Sequence, residues 1–517
     1  MNAAIADSDS PTLVTRNRPL VLTGIMLVTL CQMLDATIAN VALPHMRTQL
    51  GASSDQISWV LTSFLIAQAI GTPITGWLSD RFGSRGLFLW ATTAFLVASA
   101  ACGAATSLTM MIACRALQGI AAAFLGPLAQ TAIFDITQPS QHAKAIAVFG
   151  TISMVAPITG PTLGGLLTEY LNWRWIFYVN LPLGIPALFL LWWLLPSRPV
   201  NQRKLDIFGF SMIALGLGAL QLALDRGQQR DWLESWEIIC EFIIAASAIW
   251  IFVIHTRNTS NPLFHRSLFS NKPFLFGLMF MVTMSIAVVG LAATLPMLFQ
   301  SLFGYSVVDT GLLLAPRGMG VIFTSMLMGW LIRYIDYRWA LFLGFLLAAY
   351  GMWMMMGWSL TMEKSSVYLP IVIQGLGMGI VFSPMNMLAF STMPARDRPD
   401  GASLLALSRS LGGSIGVSII VTMLSRNQQV SHADIGAHVT SSMIPGFDLA
   451  DVIHRLGSAG AGVMAMIDGE VNRQAMMISF LDSFVMMAIM TLIMAPLPFL
   501  LGKDIPVGGG KPAPVVD

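Results

Sequence analysis

Asp35 stands inside an apolar run, residues 20–43, long enough to cross a bilayer. A charge at bilayer depth costs about 2.5–3.5 kcal/mol on insertion scales, so such a residue marks a functional site by default. Arg115 occupies a second run, residues 109–133, that travels the opposite way. At helical rise Asp35 falls about 6 Å outward of the middle of its run and Arg115 about 9 Å outward of its own. The matched depths predict an ion pair or a water-bridged contact. Burial favours a neutral carboxyl and a neighbouring guanidinium an ionised one. A carboxylate held between these influences can load a proton from one side and release it to the other as access alternates. The plainer reading is a permanent salt bridge joining two helices. Arg317 follows Pro316 with no acidic partner by sequence, and Arg409 lies two turns into its run, where it can snorkel to the inner face. Both are read as structural. Asp206, Glu241 and Asp482 lie near run ends and read as caps or interfacial groups, Asp482 also as a second proton-site candidate.

The elements that position these side chains follow from composition. Of 517 residues 55% are hydrophobic and 10% charged, against about a quarter charged in a water-soluble chain. A formal net charge of +2 supplies no field for nucleic acid. Four cysteines and seven scattered histidines show no metal-ligand spacing. Apolar runs of spanning length occur near 20–43, 57–78, 86–106, 109–133, 143–167, 175–195, 206–224, 236–254, 274–299, 308–332, 339–358, 367–389, 401–424 and 478–500. The expectation is an all-α polytopic membrane protein of fourteen spans, the first a retained helix rather than a signal peptide. Lys and Arg crowd the loops on one side (Arg81, Arg85, Lys144, Arg198, Arg203, Lys204, Arg257, Arg266, Lys272). The short loops opposite hold only Arg47, Arg174, Arg226, Arg230 and Lys364. That bias places both termini in the cytoplasm.

The chain also repeats itself. Gly76-Trp77-Leu78 through Arg85, ending the second run, is echoed 253 positions later by Gly329-Trp330-Leu331 through Arg338, ending the tenth. Gln118-Gly119 and Gln374-Gly375 echo at a nearby offset of 256, each followed by a proline, Pro127 and Pro384. Two related sets of six spans around a central cavity is the plan of a secondary transporter. The predicted divisions are 1–18, a cytoplasmic tail; 19–200, the first half; 201–272, two inserted helices; 273–501, the second half with an outer loop at 425–477; and 502–517, a second tail. In the loop 76–85, Gly76 permits close helix approach and Gly83 a tight turn. Asp80 can accept from helix N-terminal amides, while Arg81 and Arg85 can hold helix C-termini or carboxylates across the seam between halves. In the second copy Arg333 replaces Asp80 and Asp336 replaces Gly83, which argues against an equivalent latch. Pro161 with Gly160, Gly164 and Gly165 makes the fifth span bent and thin.

These residues, with Leu34-Asp35-Ala36-Thr37-Ile38-Ala39-Asn40, Arg115-Ala116-Leu117-Gln118-Gly119 and Asn172-Trp173-Arg174 through Pro182, resemble the major facilitator superfamily, in particular its fourteen-helix drug:proton antiporters of the EmrB-like kind. The resemblance covers about residues 18–500. It implies the major facilitator fold, two six-helix halves plus two inserted helices, and multidrug efflux across the inner membrane driven by the proton gradient, with no other cofactor. It makes 76–85 a cytoplasmic latch and Gly160-Pro161 an antiporter motif, with Ala156 where the family usually has glycine. It further implies a periplasmic adaptor (EmrA-like) and an outer-membrane channel as partners, for which the loop 425–477 is the candidate dock.

The substrate cavity is expected between the halves, with Gln32, Asn40, Gln118, Gln374 and Asn386 at plausible depths and abundant Met and Phe as adaptable apolar walls. No P-loop is present, which argues against ATP drive. A proton-coupled nutrient or metabolite transporter of the same fold is the alternative. A membrane-embedded enzyme would need clustered His, Asp or Glu at a membrane face, and the sequence has none.

Overall fold

The structure, a computed structural model, describes residues 11–200, 203–332, 334–438 and 458–502. In chain order its long helices are α1 (Arg18–Gln49), α2 (Asp55–Phe82), α3 (Ser84–Gly103), α4 (Leu108–Ile136), α5 (His142–Tyr170), α6 (Trp175–Leu194) and α7 (Ile207–Arg226). They continue as α8 (Trp236–Asn258), α9 (Lys272–Ser301), α10 (Val307–Leu331), α11 (Tyr337–Met355), α12 (Ser365–Phe390), α13 (Arg398–His438) and α14 (Ser458–Met494). Thirteen are long and apolar enough to cross a membrane, and α5, bent by 45° near its prolines, makes fourteen. The starts are chemically marked. Ser53 and Gln56 form a capping box at α2, and Ser107, Asp206, Asn271, Ser306 and Asp336 accept from first-turn amides of α4, α7, α9, α10 and α11.

Helices α1–α6 pack among themselves, as do α9–α14, and the two sets use the same pairings: α2 on α4 and α10 on α12, α1 on α5 and α9 on α13. The repeat is legible at single residues. Gly119 of α4 presses on the carbonyl of Phe64 in α2, and Gly375 of α12 presses on the carbonyl of Arg317, which stands 253 positions after Phe64. The halves meet along two seams, α2 with α13 and α5 with α10. Repeat-related glycines close both, Gly76 against Asp400 of α13 and Gly329 against Ala147 and Lys144 of α5. The inserted pair α7–α8 packs as a hairpin outside this bundle. Its α7 lies on α2 and hydrogen-bonds α13, with Gln221 donating to Ser414 at 2.8 Å and Ser418 to the Leu224 carbonyl at 2.7 Å.

One boundary differs from expectation. Residues 425–438 and 458–477, assigned to an outer loop, continue α13 and α14 as helix. α13 alone has 41 residues, about 60 Å of helix against a hydrocarbon core of about 30 Å. Hydropathy reports where the bilayer stops, not where the backbone stops being helical. Side chains lock the extension: Asn427 donates to Asp482 at 3.0 Å, Gln428 to Asn472 at 2.8 Å, and His432 meets Asp468 at 2.9 Å. Residues 1–10, 201–202, 439–457 and 503–517, and Arg333 in the second-copy loop, lie outside the described residues.

Candidate functional site

Asp35 is fully buried among α1, α4 and α6, pointing into the first half and away from lipid. Its Oδ2 accepts from Arg115 Nη1 at 2.7 Å, and its Oδ1 accepts from Gln118 Nε2 at 2.8 Å and Asn180 Nδ2 at 3.0 Å. Each carboxylate oxygen thus has a donor, and one has two. Arg115 has further support, donating Nε to the Val60 carbonyl at 3.0 Å and Nη1 to Gln118 Oε1 at 2.9 Å, with its guanidinium 4.2 Å from the Phe64 ring centre. Asn180 is itself held by Ser99 at 3.0 Å. If Asp35 takes a proton, the guanidinium keeps the Val60 and Gln118 oxygens and the Phe64 face. Arg115 then stays hydrogen-bonded, although its counter-charge is gone. Sequence reasoning paired Asp35 with Arg115 by depth but gave Asn180 no role of its own, although it is polar within the apolar stretch 175–195 and stands in the stretch Asn172 through Pro182 that carried the resemblance.

The loop 76–85 lies at the end of the bundle that the charge bias assigns to the cytoplasm. Gly83 adopts φ +81°, the turn between α2 and α3, and Gly76 leaves no room for a Cβ beside Asp400. Asp80 faces no helix amide as expected; it lies 3.9 Å from Arg203 in the linker before α7. Arg203 also donates to both oxygens of buried Asp400, at 2.9 and 3.3 Å, so the linker ties α2 to α13. Burial works against the Arg203 charge, but the Asp400 hydrogen bonds and the Asp400 and Asp80 charges outweigh it and raise its pKa. Arg85 donates to the Trp192 carbonyl at 2.5 Å, a helix C-terminus as expected but in its own half rather than across the seam. Arg81 is exposed. A second inner cluster joins Asp135 of α4 to Arg198, through donors at 2.5 and 2.6 Å, and to Arg398 of α13 at 3.7 Å. In the second copy, Asp336 caps α11 and pairs with Arg338 at 2.9 Å.

Gly160 and Gly164 of α5 lie against Thr37 and Ile38 of α1, within one turn of Asp35, while Gly165 meets Val307 of α10. The bent helix is therefore wedged between the acid's helix and the opposite half. The five expected cavity residues do not line one open chamber in this conformation. Gln118 belongs to the Asp35 cluster, Gln32 donates to the Ala122 carbonyl at 2.8 Å, and Gln374 accepts from Arg317 Nε at 2.7 Å. Asn386 accepts from Gln130 of α4 at 2.7 Å, across the halves, and Asn40 is exposed. Gln130 was missed by sequence, although it is polar within the run 109–133. Arg409 does not snorkel inward. Its guanidinium lies beside Gly126 and Gln32 because α13 packs against α4 and aims the side chain at the centre. Asp206 caps α7 and meets His255 at 2.8 Å, while Glu241 is buried with Oε2 unpartnered. Among the described residues no group of His, Cys, Asp and Glu is placed to hold a metal ion.

Comparison with known proteins identifies the family and the fold. The Major Facilitator Superfamily profile matches residues 25–417. The multidrug export protein EmrB of Escherichia coli K12 is 33% identical over 490 residues, covering 94% of this chain and 96% of its own. EmrB of Haemophilus influenzae is 35% identical over 419 residues, covering 80% and 82%. The proton:xylose symporter XylE superposes with a TM-score of 0.60 at 14% identity, over 94% of this chain and 96% of its own, a likeness of fold.

Proposed function

Because this chain belongs to the major facilitator superfamily, and within it to the multidrug exporters of the EmrB type, we propose that it expels amphipathic or hydrophobic small molecules in exchange for protons by alternating access. The membrane is the inner one, with both termini cytoplasmic and the proton gradient as the only energy source. The observation that carries the reading is the Asp35 cluster: a buried carboxylate whose counter-ion has other acceptors to fall back on. Such a carboxylate can change its charge without leaving the guanidinium's hydrogen bonds unmade, which for a buried donor would cost about 1–3 kcal/mol. Its position against α5, which also touches the opposite half, gives that change a route to the seam. Outside, the paired ends of α13 and α14 offer a rigid surface for a periplasmic adaptor of the EmrA kind leading to an outer-membrane channel.

The test uses the full chain in proteoliposomes with an imposed pH gradient. Wild-type protein is expected to dissipate the gradient when ethidium is added, and Asp35→Asn to abolish that exchange. A symport in the nutrient direction would deepen the substrate gradient with the proton flow instead of against it. The double variant Asp35→Asn/Arg115→Gln separates coupling from support. If the pair only joins helices, the neutral double restores gradient-driven transport; if Asp35 carries the proton, transport stays lost while the protein folds.

A further inference from the structure

The two halves carry different charge at the centre of the bundle. In the first half Asp35 and Arg115 neutralise one another. The second half presents two cations, Arg317 of α10 and Arg409 of α13. Among the described residues its helical acids stand toward helix ends instead: Asp309 and Asp400 in the first turns of α10 and α13, and Asp482 tied to Asn427. Arg317 is turned into its own half, where it donates to Gln374. Arg409 is not. Its carbonyl accepts from Ser285 of α9 at 2.5 Å, which fixes its backbone to the second half, while its half-buried guanidinium reaches across to Gly126 of α4 and Gln32 of α1. Among the described residues that guanidinium has no hydrogen-bond acceptor, and the Gln32 oxygen near it is itself unpartnered. Gln32 stands one helical turn from Asp35, which puts Arg409 on the order of 10 Å from the carboxylate. A cation kept at that depth without a counter-ion is expensive, and it faces the residue whose charge changes.

We propose that Arg409 is the positioning residue through which the second half responds to the charge of Asp35. With Asp35 ionised, Arg409 faces a neutral pair and α13 rests against α4. A proton on Asp35 leaves Arg115 positive, so two like charges confront each other across the seam. At that separation and an effective dielectric of about 20, one unit of charge changes a population ratio about tenfold. α13 also carries Asp400, which meets Gly76 and Arg203 at the inner end, so a push on α13 bears on the contacts that close it. A proton loaded from outside therefore opens the inner end, and its release inward lets α13 return. The other ionisable groups near Asp35, Arg115 and the thiols of Cys31 and Cys102, belong to its own half and move with it. The inference rests on the proton exchange proposed above and names the residue that turns protonation into movement.

The experiment follows the inner end with spin labels at Phe82→Cys and Arg396→Cys, exposed positions beside α2 and α13, in full-length protein whose four native cysteines are replaced. Asp35→Asn, which fixes the neutral form, is expected to lengthen the distance and raise the open population about tenfold. Asp35→Asn/Arg409→Gln restores the short distance, Asp35→Asn/Arg409→Lys, which keeps the charge, does not, and Arg409→Gln alone stays closed. Equal distances in Asp35→Asn and Asp35→Asn/Arg409→Gln overturn the proposal. Opening in Arg409→Gln alone also overturns it, because that is how a simple fastening behaves. If Asp35→Asn fails to fold, acidification of the two remaining proteins makes the comparison, and a shift as large in Arg409→Gln as in wild type overturns it too. These distances are read without substrate. Absence of gradient-driven ethidium exchange in wild type overturns the export reading instead, so the two failures are distinguishable.

Discussion

Arg203 shows how much one linker side chain contributes to holding the inner end shut. It is the shared partner of Asp80 in the first half and Asp400 in the second, and Asp400 is buried. Arg203→Gln leaves that carboxylate without a cation, a penalty on the order of 3–5 kcal/mol that falls on the closed inner end alone. A tenfold change in population needs only about 1.4 kcal/mol, so the variant is expected to shift the molecule toward opening inward. Spin labels at Phe82→Cys and Arg396→Cys, both exposed positions, should move apart in Arg203→Gln and return in Arg203→Gln/Asp400→Asn. Unchanged distances would mean that Arg203 does not hold the seam. Little of this was legible in the sequence. Asp35 and Arg115 could be matched by depth because both stand out in apolar runs, whereas Arg203, Asp400 and Asp135 are charges near run ends, where solvation is the ordinary explanation. Arg317 was seen but left without a partner, since an amide 57 positions away carries no signal that it will face a guanidinium.

Helices were easier to read than their limits. Fourteen apolar runs gave fourteen spans because the bilayer imposes one length on them all. That rule is silent beyond the headgroups, where α13 and α14 run on as a polar pair tied by Gln428 and Asn472, His432 and Asp468. About thirteen residues of α13 past position 425 extend it by roughly 20 Å. A rigid projection of that length suits a partner more than a flexible connection does. Joining residues 431 and 471 through a short Gly-Ser turn removes the tip but keeps the Asn427–Asp482 bond at its base. Membrane levels of the shortened protein and its ethidium exchange in liposomes are expected to match wild type, while resistance in cells falls several-fold. Full resistance in cells would show that the projection docks nothing needed for efflux.

Taken whole, the molecule is two similar bundles closed at one end. The repeat was legible as a 253-residue offset, and the structure extends it to the seams, where Gly76 and Gly329 make matching approaches to α13 and α5. What the repeat could not reveal is which end is shut, since that depends on pairs between halves rather than within them. Gln130 with Asn386, Ser383 with the Ala143 carbonyl, and the rings of Phe134 and Phe390 at 4.5 Å all seal the inner end. Asn40, outward of Asp35 on α1, is exposed. Alternating access requires these two positions to exchange environments. In protein whose four native cysteines are replaced, Asn40→Cys is expected to react with a membrane-impermeant maleimide from outside, while Gln130→Cys stays protected from the inner side. Reversing the proton gradient in the presence of substrate should invert both reactivities together. Protection of Gln130→Cys under every gradient would mean that the inner seam never opens, and simultaneous reaction at both positions would mean an open channel rather than a transporter that occludes its cargo.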